Sequence, residues 1–403
     1  MRARTPKPAN PLALALFWLG VQSVWGALLG ISLQARTIEL SAANPVIAYG
    51  RLATMGAAVA AVAQVLVGFW SDARRRDGSR RVEFYAFGAV GGAVALVFFY
   101  DARTFAALTI AFVALQAALN VAIGPYQAII PDFIERKRIG AASSWMAALQ
   151  GAGNAVGALA ASFIANARAL GATLSGLLLA TCAVTSLHAR GLSLNAESAP
   201  SETPWRVTRP FVDLFVSRAL IYVGFYTLLG YLLFYVEAVL GTSALGDAKR
   251  ETGILIVVFT IVSAVGAALA ARPSDRLDKR LVATAGAAAF ILALALFIAS
   301  HAFAGVVAAT LLAGVGWGFF LVADWAIACR VLPAGAMAAA MGIWNLAVVL
   351  PQIAAPALTT AVLQQLHLTA GGAASRVAFS LALIETLVGI AWLWRLSRCA
   401  IGE

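Results

Sequence analysis

Three charged side chains lie deep inside long apolar runs: Arg218, Asp324 and Glu385. Such groups lose their hydration and must pair, exchange a proton or meet a polar solute. Asp324 precedes Arg330 by six residues, about 9 Å along a helix at 1.5 Å per residue. Arg218 sits about eight residues into its own run, at a similar depth. The two are therefore expected to form an ion pair or to exchange a proton.

Amide and aromatic side chains form a second set. Gln116, Asn120 and Gln127 fall within about 40° of one helix face at 100° per residue. Gln22 and Trp25 are spaced i, i+3, and Asn345 and Gln352 i, i+7, so each pair also shares a face. Amides donate and accept hydrogen bonds at once, which suits sugar hydroxyls. Tyr126, Trp325 and Trp344 add flat apolar faces. The competing role for all of them is hydrogen bonding and packing between helices.

Enzyme chemistry finds little support. His188, His301 and His367 lie near the ends of runs, and there is no His-Glu-x-x-His, Gly-x-Ser-x-Gly or Gly-Lys-Ser/Thr loop. Cys182, Cys329 and Cys399 are odd in number and lack ligand spacing, so neither a disulfide framework nor a metal site is expected. Asp132 and Asp324 do not suit the paired acids of an intramembrane protease. The chain is read as having no catalytic residues, no metal and no cofactor.

The elements that must position these residues are helices in lipid. Of the 403 residues 62% are hydrophobic and only 12% charged, whereas soluble domains carry about 25% charged residues. Apolar runs long enough to span a bilayer occur at 12–33, 46–71, 82–99, 104–130, 140–165 and 170–188, then 210–238, 252–271, 281–299, 303–329, 336–363 and 374–396. The first run follows Arg2, Arg4 and Lys7 but is about twice as long as a signal peptide core, so it is expected to remain as a span.

The net charge of +11 would suggest nucleic acid in a soluble protein, but the basic residues cluster in alternate loops, as with Arg74–Arg76 and Arg136–Arg138. That pattern places both termini in the cytoplasm of a multi-pass protein, with a bacterial inner membrane as the expected home. It implies contact with membrane lipids and no nucleic acid.

The segment 192–209, rich in Ser, Pro and Glu, divides the chain into 1–191 and 210–403, each with six runs. Features recur about 200 residues apart. Gly68-x-x-x-Asp72 and its arginines are echoed by Pro273-Ser274-Asp275-Arg276, and Pro131-Asp132 by Cys329-Arg330-Val331-Leu332-Pro333. Duplicated six-helix bundles with a binding site near the midplane are the architecture this repeat predicts.

Those same residues carry a resemblance. Gly68-Phe-Trp-Ser-Asp72 with Gly78-Ser79-Arg80-Arg81 is similar to the loop between the second and third helices of the major facilitator superfamily. Gly124–Asp132, Asp324-Trp325, Val331-Leu332-Pro333, Gly342–Asn345 and Pro351-Gln352 resemble its glycoside–pentoside–hexuronide and sucrose-transporter-like branches. The resemblance implies an all-α fold of twelve transmembrane helices in two pseudo-symmetric six-helix bundles. It also implies a cytoplasmic gate at Gly68, Asp72, Arg80, Arg81, Asp132, Asp275 and Arg276, and a supporting role for the helix that carries Glu385. Two positions depart from the pattern: Ala73 replaces an arginine, and Arg330 replaces an acid.

The expected function is secondary active transport of a small solute, a sugar or glycoside, by a monomer working through alternating access. Proton coupling is expected, because the first two runs lack the carboxylates of a melibiose-type sodium site. Export of drugs or amphipathic metabolites is the alternative, and a non-transporting membrane assembly factor is an alternative of another class.

Overall fold

The computed structural model describes residues 9–41, 43–76, 81–134, 139–192, 207–239, 245–331, 337–369 and 371–396. Among these residues the chain is helical, without strands. Span one is Pro11–Leu40, span two Pro45–Arg76, span three Val82–Asp101, span four Phe105–Tyr126, span five Ile139–Phe163 and span six Ala167–Arg190. Span seven is Arg209–Val239, span eight Leu245–Arg276, span nine Lys279–Ala299, span ten Phe303–Val331, span eleven Met337–Gln365 and span twelve Gly371–Leu393. Among the described residues eleven helices are long and apolar enough to cross a membrane. Span five, with 25 residues, is the other long helix and carries Ser144, Gln150 and Asn154 among its small apolar residues.

Local sequence explains where these helices start. Asn10 caps span one, its side chain accepting from the Leu12 N–H, with Pro11 supplying a pre-set φ at the first helical position. Thr104, Asn166 and Asp278 cap spans four, six and nine in the same way, accepting from Ala107, Ala169 and Arg280.

Several boundaries differ from the apolar runs, and three of the differences have a local cause or change the helix plan. Span one reaches Leu40 instead of ending near residue 33, because its polar tail is satisfied within the helix: Arg36 pairs with Glu39, and the Thr37 hydroxyl donates to the Gln34 carbonyl at 2.7 Å. Span eight begins at Leu245, adding about two polar turns before the apolar run at 252. The run 104–130 is split: Pro125, lacking an N–H, precedes a break at Gln127–Ala128, and a short helix Ile129–Phe133 follows.

The chain forms two compact units. The described residues of one fall within Met1–Ser32 and Met55–Pro200, those of the other within Leu33–Thr54 and Ser201–Glu403. In the first unit span one packs against spans five and six, and span three against spans four and six. In the second, span seven packs against eleven and twelve, and span nine against ten and twelve. The repeat seen in the sequence is thus a repeat of helix pairing.

Span one passes from the first unit to the second directly after a π-helical turn, Leu28–Ser32. A π turn inserts an extra residue and rotates everything beyond it. Before that point Ser32 accepts from the Tyr100 hydroxyl at 2.9 Å in the first unit. Beyond it the Gln34 amide donates to the Gly230 carbonyl at 3.2 Å in the second.

Close approach of spans one and five depends on glycine. A Cβ at Gly157 would lie 2.0 Å from the Ser23 carbonyl oxygen, and one at Gly26 would lie 2.3 Å from the Asn154 carbonyl oxygen. Backbone cannot give way as a flexible side chain does, so these helices touch only where the side chain is missing. Gly157→Leu should therefore abolish the monodisperse folded peak in detergent, whereas Gly176→Ala, with nothing within 4 Å of its added Cβ, should shift the melting temperature little. Size-exclusion chromatography and a thermal-shift series on both variants check this.

Candidate functional site

Span seven presents Arg218, Tyr222, Phe225 and Tyr226 at i, i+4, i+7 and i+8, so they share one helix face. Span ten brings Asp324 and Trp317 to that face, and span eleven brings Trp344 and Gln352. Arg218 and Asp324 are ion-paired through Nη1 and Oδ2, with side chains only 6% and 2% exposed. The second fork nitrogen of Arg218 donates to the Tyr222 hydroxyl at 3.3 Å. Its guanidinium carbon stands 3.6 Å from the Trp344 ring centroid and 4.8 Å from that of Tyr222.

The aromatic groups continue the same surface. Phe225 stacks on Trp317 at 4.2 Å and 14°, and Trp317 meets Tyr222 edge-on at 5.0 Å. The Gln352 amide donates to the Tyr226 hydroxyl at 3.0 Å, while Phe225, Tyr226 and Gln352 remain only partly buried. This constellation of a charge pair, an amide and flat rings lies wholly within the second unit. Tyr222, Phe225, Tyr226 and Trp317 are not among the residues singled out from sequence, although the first three share a helical face with Arg218 and Trp317 lies seven residues before Asp324.

The remaining candidates are distributed as follows. Trp325 is 47% exposed with its ring 4.8 Å from Trp344. In the first unit Gln116 and Asn120 are buried, and the Asn120 amide donates to the Gln116 carbonyl of its own helix at 2.9 Å. Gln22 is half-buried, its Cβ 2.8 Å from where a Cβ on Gly153 would stand, and Trp25 is half-buried one turn further on. Gln127 is exposed at the break after span four. Tyr126 is fully buried: its hydroxyl donates to the Leu14 carbonyl at 2.7 Å, and its ring packs against Phe17 and Tyr85 at 5.0 and 5.2 Å. The side chain of Asn345 lies outside the described residues.

Glu385 is half-buried in span twelve beside Thr227 of span seven. Its Oε2 and the Thr227 hydroxyl are both buried without a hydrogen-bond partner among the described residues. Ser217 donates to the Gly389 carbonyl at 2.8 Å and the Trp392 indole to Asp213 at 3.1 Å, so the seam between these two spans is polar along much of its length.

At the end that carries the arginine run, Arg81 at the start of span three pairs with Asp132 after span four at 3.2 Å. Gly68 has open space around it, and Asp275 and Arg276 are exposed at the end of span eight. Arg80 and the side chain of Asp72 lie outside the described residues. In the second unit the position matching Asp132 is Arg330, and the buried Arg280 turns elsewhere. Its fork closes on Asp278, the cap of its own helix, at 2.6 Å, and its other arm donates to the Leu396 carbonyl at 2.7 Å.

A family model described as Major Facilitator Superfamily matches residues 12–356 and again 214–398. No curated protein sequence matches significantly. Among solved structures, a bacterial homolog of the human lysosomal transporter Spinster, in an inward-facing and occupied conformation, aligns with a TM-score of 0.76 at 13% identity, over 96% of this chain and 95% of that one. The nucleoside transporter NupG aligns with a TM-score of 0.70 at 14% identity, over 96% of this chain and 99% of that one.

Breaking a buried ion pair by removing one partner costs about 3–5 kcal/mol, since it strands the other charge. Arg218→Ala and Asp324→Ala should each destabilise the protein by an amount in that range, and the double variant by clearly less than the sum. Unfolding of all three in detergent, read as a double-mutant cycle, checks the coupling.

Proposed function

Because the chain belongs to the major facilitator superfamily, we propose that it is a secondary active transporter moving a small hydroxylated solute, a sugar or glycoside, coupled to protons. The observation that carries this reading is the buried Arg218–Asp324 pair beside the Tyr226–Gln352 contact. Asp324 can hold a proton only by giving up its salt link to Arg218, so protonation and rearrangement of this site are coupled. An amide and a phenol half-open to their surroundings can exchange their mutual hydrogen bond for bonds to solute hydroxyls. The partly buried rings of Phe225 and Tyr226 suit the apolar side of a sugar ring or a planar aglycone. The nucleoside transporter among the structural neighbours, by its name, handles a sugar joined to a base.

In this proposal residues 1–191 and 210–403 are the moving halves, 192–209 joins them, and a monomer works by alternating access. Both termini face the cytoplasm of a bacterial inner membrane, the orientation favoured by the basic loops. The Arg81–Asp132 pair, with Gly68, Asp72, Arg80, Asp275 and Arg276, then belongs to the cytoplasmic gate. The partly buried Phe225, which stacks on Trp317 and meets the partly buried Phe259, favours a second reading, transport of an amphipathic metabolite.

Proteoliposomes with a panel of labelled sugars and glycosides, with and without an inwardly directed proton gradient (acid outside), test the proposal. Uptake should rise with the gradient for the wild type. Asp324→Asn should lose that response and fall on the order of tenfold, about 1.4 kcal/mol in the barrier, while still exchanging solute at equal pH. An unchanged pH dependence in Asp324→Asn would overturn the proton site, and transport of amphipathic cations without any sugar would establish the second reading.

A further inference from the structure

Spans three and four leave a cleft of about 560 Å³ on the surface of the first unit. Its floor is made of small residues, including Gly91, Ala95 and Ala111. Its walls are the side chains of Phe98 and Ile110, which are 65% and 71% exposed. From Gly91 to Asp101 the cleft follows ten residues of helix, about 15 Å at 1.5 Å per residue. That is half of the ~30 Å hydrocarbon core, the depth of one leaflet.

The cleft ends in charge. Asp101 and Arg103 line its mouth, and Arg168 at the start of span six holds Asp101 at 2.7 Å. Arg103 is exposed with no ion-pair partner among the described residues, so the rim carries a net positive charge. The mouth also adjoins the N-terminus of span four, whose partial positive charge favours an anion. This rim is at the end of the helices opposite the arginine-rich loops.

We propose that this cleft binds one anionic phospholipid, its acyl chain lying on the Gly/Ala floor and its phosphate against Arg103. The length matches an acyl chain of one leaflet, and the net positive rim at Arg103 favours a headgroup of net negative charge over a zwitterionic one. The inference depends on the chain spanning a membrane but not on which solute it carries.

Native mass spectrometry of the full-length protein, reloaded with either phosphatidylglycerol or phosphatidylethanolamine in detergent, provides the test. The wild type should retain one phosphatidylglycerol in preference to phosphatidylethanolamine. Arg103→Ala should weaken that retention about fivefold, the effect of one basic residue at a lipid surface. Ala107→Phe combined with Ala114→Phe, both exposed positions lining the cleft, should abolish it. Ile261→Phe, on an exposed face of span eight, should retain lipid as the wild type does. Equal retention of both lipids by the wild type, or retention unaffected by either the Arg103 or the cleft-filling change, would overturn the proposal. Melting temperatures of all variants separate loss of the site from loss of the fold.

Discussion

A charged or hydrogen-bonding group in a lipid-spanning helix has no water to turn to, so each must be answered by another part of the protein. That constraint governs this chain more than hydrophobic burial does, because lipid is as apolar as the Leu, Val and Ala that fill its helices. Association between spans then rests on close packing and on the few polar contacts available. Arg218 is answered by Asp324, Tyr222 and the face of Trp344, Arg81 by Asp132, and Arg280 by Asp278 and a backbone carbonyl. The buried Oε2 of Glu385 and the Thr227 hydroxyl face one another between spans seven and twelve, so the polar group of one span is set against that of the other.

The two halves solve the same problem differently. Helix pairing is repeated between them, one with five and six matching seven with eleven and twelve, so the duplicated backbone plan survives. The charges do not follow it. An acid after span four pairs with the basic residue at the start of span three, whereas the residue that echoes it in sequence is Arg330, in the last turn of span ten and of the same charge as Arg280. The second half therefore ties Arg280 to its own helix cap and to Leu396, anchoring the start of span nine to the end of span twelve. The first half uses a side-chain link between two helical segments. The second combines a carboxylate of the same helix with a backbone carbonyl from the region after span twelve.

Much of this was legible in the sequence because its rules are one-dimensional. Apolar length located the spans, and equal depth in two spans marked Arg218 and Asp324 as neighbours. Helix ends were less legible, since residues such as Arg36 and Glu39 read as loop-like until their mutual pairing is known. Tyr126 could not be placed at all by spacing. A tyrosine faces a cavity or a core according to whether a carbonyl such as that of Leu14 waits for its hydroxyl, and that depends on a helix more than 100 residues away. The Arg280 arrangement left no trace either, because a bond to a backbone carbonyl imposes no residue type on the partner.

The π turn at Leu28–Ser32 shows how a local irregularity serves these long-range demands. Span one carries Ser32, which accepts from Tyr100, and Gln34, which donates to the Gly230 carbonyl, with a single residue between them. On a regular helix, residues two apart point about 200° from one another, and that angle is fixed by the repeat. An inserted residue rephases the downstream face without breaking the hydrogen-bonded column, as a proline would. In span four the same need for a change of direction is met by Pro125 and a true break, which is possible there because the break falls at the end of the span, where its freed backbone groups are not stranded in hydrocarbon. The position of an irregularity within the membrane, more than the sequence that produces it, decides which of the two forms a helix can tolerate.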